Sequence, residues 1–263
     1  MIVFVGGISP DLEGEESPVQ LPGFSGGDRT DMNLPLNQEE LLKQLSILGK
    51  PIVLVLTNGS ALSLNWEKEH IPSILEAWYP GEEGGNAVAD VLFGDFNPAG
   101  RLPVTFYQSV KDLPAFEDYS MKGRTYRYFQ GTPLFAFGHG LSYSSFWYFD
   151  LYADVQSAHS GDTVTLSVTL KNECDRDGDE VIQVYSRKTE SKAEQPIQSL
   201  KAYKRVTLAK GEIKTVKITL PVRNLAYYDT SLQDYVVEPG SYELRVGAAS
   251  DDIRLKLMLE VRK

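Results

Sequence analysis

Five consecutive apolar residues, Ile52-Val-Leu-Val-Leu56, constrain this chain more than any other stretch. A strand alternates its side chains between two faces, so a run with no polar position predicts a strand covered on both faces, as in a parallel sheet flanked by helices. The surroundings repeat that pattern. Met1–Val5 is a second apolar run, ending in Gly6-Gly7, and Ile74-Leu-Glu-Ala-Trp-Tyr79 reads as a third strand that breaks at Pro80-Gly81. Between the first two runs, a helix is expected from about Gln38 to Leu48. Asn37 and Glu40 form a candidate capping box, Leu41, Leu42, Leu45 and Leu48 share one face, and Gly49 and Pro51 stop the helix. A short polar helix is expected after Asn65. Another carries Ala87, Val88, Val91 and Leu92 and ends at Gly94, with Gly84-Gly85 at its start serving close packing or close approach of a ligand.

The periodicity then changes. From Asn97 to about Phe149 the chain is irregular and rich in Pro, Gly and aromatic residues. Beyond it, Thr163–Leu170, Glu180–Ser186, Lys214–Leu220, Ser241–Val246 and Ile253–Val261 read as strands, with turns at Asp175–Asp179, Lys210-Gly-Glu212 and Pro239-Gly240. The expected fold is therefore α/β, a partial α/β sandwich with a mostly parallel sheet and flanking helices, followed by an all-β sandwich of fibronectin type III kind. The domains are expected at 1–148 and 149–263, which suits a chain of 263 residues.

Charge and composition exclude several functions. Residues 1–148 hold nine Lys and Arg against 18 Asp and Glu, whereas 149–263 hold 17 against 18. So acidic a first half argues against nucleic acid as a partner, because phosphate binding requires Lys and Arg. No strongly apolar run exceeds five residues, so no membrane-spanning helix is expected. The start at Met1 lacks the basic and apolar pattern of an export signal, and the chain is expected to be either cytoplasmic or a fragment. Cys174 is the single cysteine and has no internal disulfide partner. His70, His139 and His159 stand far apart without ligand spacing, so no metal is expected. Nucleophile-elbow, P-loop and dinucleotide-binding motifs are missing, and no cofactor is expected.

The densest carboxylate group, Glu13-Gly-Glu15-Glu16, follows the first strand. Mutual repulsion among such groups raises at least one pKa and can supply a general acid, although many acidic runs are solvated loop faces. Loops at the carboxyl ends of parallel strands are where open α/β sheets bind ligands. Asp28 and Arg29 follow Gly23-Phe-Ser-Gly-Gly; they suit loop bracing first, and hydrogen bonding to sugar hydroxyls second. The aromatic residues Tyr126, Tyr128, Phe129, Phe135 and Tyr143 suit packing near the join more than stacking on a sugar.

Several long segments resemble the C-terminal part of glycoside hydrolase family 3, the β-xylosidases and β-glucosidases. They include Phe4-Val-Gly-Gly-Ile-Ser-Pro-Asp-Leu-Glu-Gly-Glu-Glu16, Gly26-Gly-Asp-Arg-Thr30, Leu34-Pro-Leu-Asn-Gln-Glu-Glu-Leu-Leu42 and Gly49-Lys-Pro-Ile-Val-Leu-Val-Leu56. Ala77-Trp-Tyr-Pro-Gly-Glu-Glu-Gly-Gly85, Gly123-Arg-Thr-Tyr-Arg-Tyr-Phe129 and Phe137-Gly-His-Gly-Leu-Ser-Tyr143 continue the match, followed by Gly178-Asp-Glu-Val-Ile-Gln-Val-Tyr185 and Val237-Glu-Pro-Gly-Ser-Tyr242. The resemblance implies a retaining exo-acting β-glycosidase that removes terminal β-linked sugars in polysaccharide breakdown, with a β-linked oligosaccharide or glycoside as substrate. The motifs lean towards β-xylosidase, with β-glucosidase close behind.

In that family the nucleophilic aspartate belongs to a barrel domain, and the acid/base glutamate to the loop matched here. The resemblance assigns the acid/base role to Glu13, with Glu15 and Glu16 as alternatives. The N-terminal barrel is absent from this sequence and would be supplied in cis or in trans. Residues 1–263 alone are therefore expected to be inactive, and the first domain to be marginally stable with an open sheet edge and face. A full-length protein would suit the periplasm or secretion. The alternatives are a non-catalytic carbohydrate- or partner-binding module, or one half of a split enzyme.

Overall fold

The computed structural model describes residues 1–13, 19–26 and 28–263. The chain forms two compact units that share its middle section. The first comprises Met1–Phe96, Thr105–Tyr119 and Gln130–Phe135; the second comprises Asn97–Val104, Ser120–Phe129 and Ala136–Lys263.

In the first unit, β1 (Ile2–Gly7), β5 (Ile52–Thr57) and β6 (Ser73–Glu76) form a parallel sheet in the order β1-β5-β6. Ile2 pairs with Ile52 and Val53 with Ser73, which puts the apolar run of β5 in the centre. Ile52, Val53, Leu54, Val55 and Leu56 are all buried, as a strand without a polar face requires. Between β1 and β5 lie α1 (Pro10–Glu13), the short antiparallel strands β2 (Gln20–Leu21), β3 (Phe24–Ser25) and β4 (Asp28–Arg29), and α2 (Leu36–Ser46). The helices α3 (Asn65–His70) and α4 (Gly84–Phe93) flank β6 in sequence, and α4 ends on left-handed Gly94.

Helix α2 differs from its sequence expectation in two ways. It begins at Leu36 after Pro35, whose fixed φ suits helix entry, and the Asn37/Glu40 capping box does not form. Of the expected leucine face only Leu42 is fully buried; Leu41 and Leu48 are exposed. The helix is held instead by Gln38, whose amide donates to the Gly7 carbonyl (2.8 Å) and accepts from the Gly7 N–H (2.9 Å). Gly7 has φ +126°, and a Cβ there would lie 2.1 Å from the Thr57 carbonyl oxygen, so only glycine lets β1 end this close to β5.

The second unit holds α5 (Thr125–Tyr128) and a two-sheet sandwich. Its larger sheet has the order β11-β10-β15-β16-β8, built from β8 (Ser157–His159), β10 (Gly178–Lys188), β11 (Ser199–Leu208), β15 (Gly240–Gly247) and β16 (Ile253–Arg262). The smaller has the order β12-β9-β7, from β7 (Phe146–Ala153), β9 (Thr163–Asn172) and β12 (Ile213–Pro221); β13 (Tyr227–Asp229) and β14 (Asp234–Val236) make a separate hairpin. Alternate residues of both sheets fill one core: Val164, Leu166, Val168 and Leu170 from β9 meet Ile182, Val184, Leu244, Val246 and Leu259. Strand β7 runs through the expected join at 148/149. Strand β11 was not expected, because Lys201, Lys204 and Arg205 interrupt any apolar alternation.

Within this unit the irregular segment 97–104 is tied to the sandwich. Arg101 donates to Glu180 at 2.7 Å with both side chains nearly buried, and Asn97 donates to the Asp177 carbonyl at 2.8 Å. Among the described residues no helix is long and apolar enough to cross a membrane, and no three His, Cys, Asp or Glu residues gather as metal ligands would.

Candidate active site

The carboxyl ends of the three parallel strands converge in the first unit. The chain leaving β1 reaches Glu13, the chain leaving β5 presents Asn58-Gly-Ser60, and β6 ends in Glu76, followed by Trp78 and Tyr79. The Gly59 N–H donates to Glu13 Oε2 at 2.8 Å, the Ser60 hydroxyl donates to Oε1, and the Tyr79 hydroxyl lies on Oε2. The same Tyr79 hydroxyl is 2.8 Å from the Ile8 carbonyl oxygen. Gly59 has to be small here, since a Cβ would fall 2.7 Å from the Tyr79 ring and 2.9 Å from Glu13 Oε2. Trp78 has φ +55°, a left-handed conformation uncommon for a bulky residue, in the turn between β6 and Tyr79.

Arg29 joins this group across 31 residues of sequence. Its guanidinium donates to the Ser60 hydroxyl (2.9 Å), the Ala61 carbonyl (3.1 Å) and the Asn33 carbonyl (3.4 Å). It also borders a cavity of about 240 Å³ lined by Phe24, Asn33 and Leu34. Asp28, its sequence neighbour, is exposed, and among the described residues its side chain makes no hydrogen bond or ion pair. The structure thus brings Glu13 and Arg29 together and leaves Asp28 apart. Glu15 and Glu16 lie outside the described residues.

Two carboxyl groups at this end have opposite electrostatics. Burial works to raise the pKa of Glu13, but the hydrogen bonds from Ser60, Tyr79 and Gly59 and the charge of Arg29 outweigh it, so the group is held below the usual carboxylate range. Burial raises Glu76 to about 7, and the Glu13 charge adds to the rise. Glu76 accepts from the Trp78 N–H (3.1 Å) and the Asn58 amide (3.3 Å), too little to offset its desolvation. Asn58 is fully buried, and its Oδ1 has no partner among the described residues. In the sequence Asn58-Gly-Ser60 reads only as the stop after the Ile52–Leu56 strand, and Glu76 only as a position within the third strand. Their position at strand carboxyl ends was the available signal.

The first unit thus carries a carboxylate cluster at the ends of its parallel strands, and a fibronectin-type sandwich follows it in the chain. Residues 1–143 match the glycosyl hydrolase family 3 C-terminal domain, and residues 180–250 match the fibronectin type III-like domain. The chain belongs to glycoside hydrolase family 3. It is 45% identical over 255 residues, 97% of its length and 29% of the relative's, to a xylan 1,4-β-xylosidase of Xylanibacter ruminicola. It is 38% identical over 240 residues, 87% of its length and 31% of the relative's, to a periplasmic β-glucosidase of Salmonella typhimurium. A solved β-glucosidase of Erythrobacter marinus superposes with a TM-score of 0.86 at 36% identity, covering 99% of this chain and 34% of that one. The chain spans about a third of the length of the curated relatives it matches.

Proposed function

We propose that the chain is the C-terminal portion of a retaining β-glycosidase that releases terminal β-linked xylose or glucose, and that the loop opening at Glu13 supplies the acid/base carboxylate. The observation that carries the proposal is the convergence of Glu13, Arg29, Ser60 and Tyr79 at the carboxyl ends of the parallel strands. Identity to a xylan 1,4-β-xylosidase favours xylose. A retaining enzyme sets two carboxyl groups about 5–5.5 Å apart across the scissile bond, one attacking the anomeric carbon and the other protonating the leaving oxygen. The proposed nucleophile belongs to a barrel domain outside this chain. Residues 1–263 alone then cannot complete the two-step route, and steady hydrolysis of an aryl β-glycoside by the purified chain would overturn this division of labour. The likeness to a periplasmic β-glucosidase supports export of the full-length protein.

Within the loop, the surroundings of Glu13 favour anchoring. A general acid must carry a proton near neutral pH, whereas three donors and a nearby Arg29 keep Glu13 ionised. The proton-donating role therefore falls to Glu15 or Glu16, with Glu13 pinning the start of the loop to the β5 and β6 ends. The test is a set of single Glu→Gln variants in a protein that includes the barrel, assayed on poor and on activated aryl leaving groups. The variant lacking the acid should lose about 100-fold or more on poor leaving groups and far less on activated ones. Glu13→Gln should lose activity about equally on both. A selective loss for Glu13→Gln would return the acid role to Glu13.

A further inference from the structure

The sandwich unit contains a concavity of about 300 Å³, the scale of a small-ligand site. Three cations line it: Arg127 from α5, Lys188 at the end of β10 and Lys201 on β11. None of the three enters an ion pair among the described residues, whereas Arg101, Arg205, Arg245 and Arg254 of the same unit each have a carboxylate partner. Glu194 is the carboxylate on the lining and is exposed; nearby, Glu238 is engaged by the Ser191 hydroxyl and the Lys192 N–H. Three unpaired cations in one hollow are unexpected in a protein of net charge −10. Burial and the neighbouring Arg127 push Lys201 down to about 8, the response of an ammonium that lacks a counter-ion.

Tyrosines form the other half of the lining, and the strand register places them. Pairing of Lys188 with Tyr242 across β10 and β15 sets the ammonium 5.1 Å from that ring, and Arg127 lies 5.5 Å from the Tyr128 ring. The β13–β14 hairpin sets Tyr228 opposite Tyr235 with centroids 5.3 Å apart. Both rings are exposed, Tyr235 at 72%. Exposed aromatic faces beside unpaired cations are complementary to a ring with C–H faces and a carboxylate.

We propose that this concavity binds a uronic acid residue of an oligosaccharide, its carboxylate held by Arg127 and Lys201 and its ring against Tyr228 and Tyr235. The choice of a sugar carboxylate among anions rests on the glycosidase reading; the requirement for an anion rests on the cations alone. The 263-residue chain is titrated by calorimetry with methyl β-glucuronide, methyl β-glucoside and acetate. The glucuronide should bind with a Kd of about 1 mM or tighter, and the glucoside and acetate each at least about tenfold more weakly. Lys201→Met, which keeps the packing of the stem, should cost about tenfold for the glucuronide. Tyr235→Ala, at an exposed position that cannot unfold the sandwich, should also weaken it measurably. Equal affinity for glucuronide and glucoside, acetate matching the glucuronide, no binding at all, or variants that bind like the parent would each overturn the proposal. None of these residues belongs to the loop at Glu13, so the leaving-group assays and this titration fail independently.

Discussion

In the sandwich, β9 hides Val164, Leu166, Val168 and Leu170 completely, and one core accounts for both sheets. In the α/β unit, β5 is as well buried, but β1 leaves Val3 and Val5 exposed, Ile47 at the end of α2 is 83% exposed, and Phe93 at the end of α4 is 77% exposed. The sandwich satisfies its hydrophobic faces from its own strands. In the α/β unit only the central strand of the sheet is buried throughout, while β1 and β6 are both edges of a three-stranded sheet. The core between the two sandwich sheets is thus closed by its own strands, while the α/β sheet leaves apolar positions of β1 exposed, surface of the kind that marks contact sites.

The sharpest way to break this contrast is through the buried Arg101–Glu180 pair. Arg101→Gln leaves Glu180 uncompensated at 3% side-chain exposure, and the sandwich should lose about 3–5 kcal/mol. Hydrogen exchange of β9 and β10 amides should report the loss while β5 amides keep their protection; an equal loss in both units would mean that they unfold as one.

A smaller effect is expected at Glu76 and has the opposite sign. Its folded pKa of about 7 lies above the usual 4.5, so the native state holds its proton more tightly than the unfolded chain. The resulting contribution is fully favourable below pH 4.5 and is lost as pH rises through 7, costing about 3 kcal/mol by pH 8. Glu76→Gln should remove that slope, which denaturant melts of the α/β unit at pH 5 and pH 8 would show. Glu13 works the other way: its lowered pKa stabilises the fold above the usual carboxylate range, and that stabilisation fades on acidification. The smallest effect on stability is expected from Ile47→Lys with Phe93→Lys, within about 0.5 kcal/mol of the parent. Those changes should nevertheless reduce self-association of the chain in sedimentation; unchanged association would place the adhesive surface elsewhere.

The sequence reveals these two units unequally for physical reasons. Strand β5 and the alternating strands of the sandwich are legible because burial imposes local periodicity. Helix α2 is legible in extent, but not in its cap, because Pro35 starts it and the clamp between Gln38 and Gly7 joins residues 31 apart. Strand β11 stays hidden because its pairing with β10 shifts at Val184/Tyr185 and its outward positions are charged. At the site, the acidic loop and Arg29 stand out as residue types in a suggestive place. The raised pKa of Glu76 does not, because it depends on burial and on the nearby Glu13 charge, which the fold alone brings to a carboxyl that looks in sequence like any strand position.

The division of residues 97–135 between the two units has a further consequence for inheritance. The chain passes from one unit to the other at 96/97, 104/105, 119/120, 129/130 and 135/136. A recombination breakpoint anywhere in that stretch would hand a piece of one unit to a progeny protein that lacks its remainder. Modules joined by a single linker can be exchanged like beads, but these two can be exchanged cleanly only as a pair. Lineages carrying this α/β unit should therefore gain or lose sandwich material mainly beyond residue 135, where the chain no longer returns.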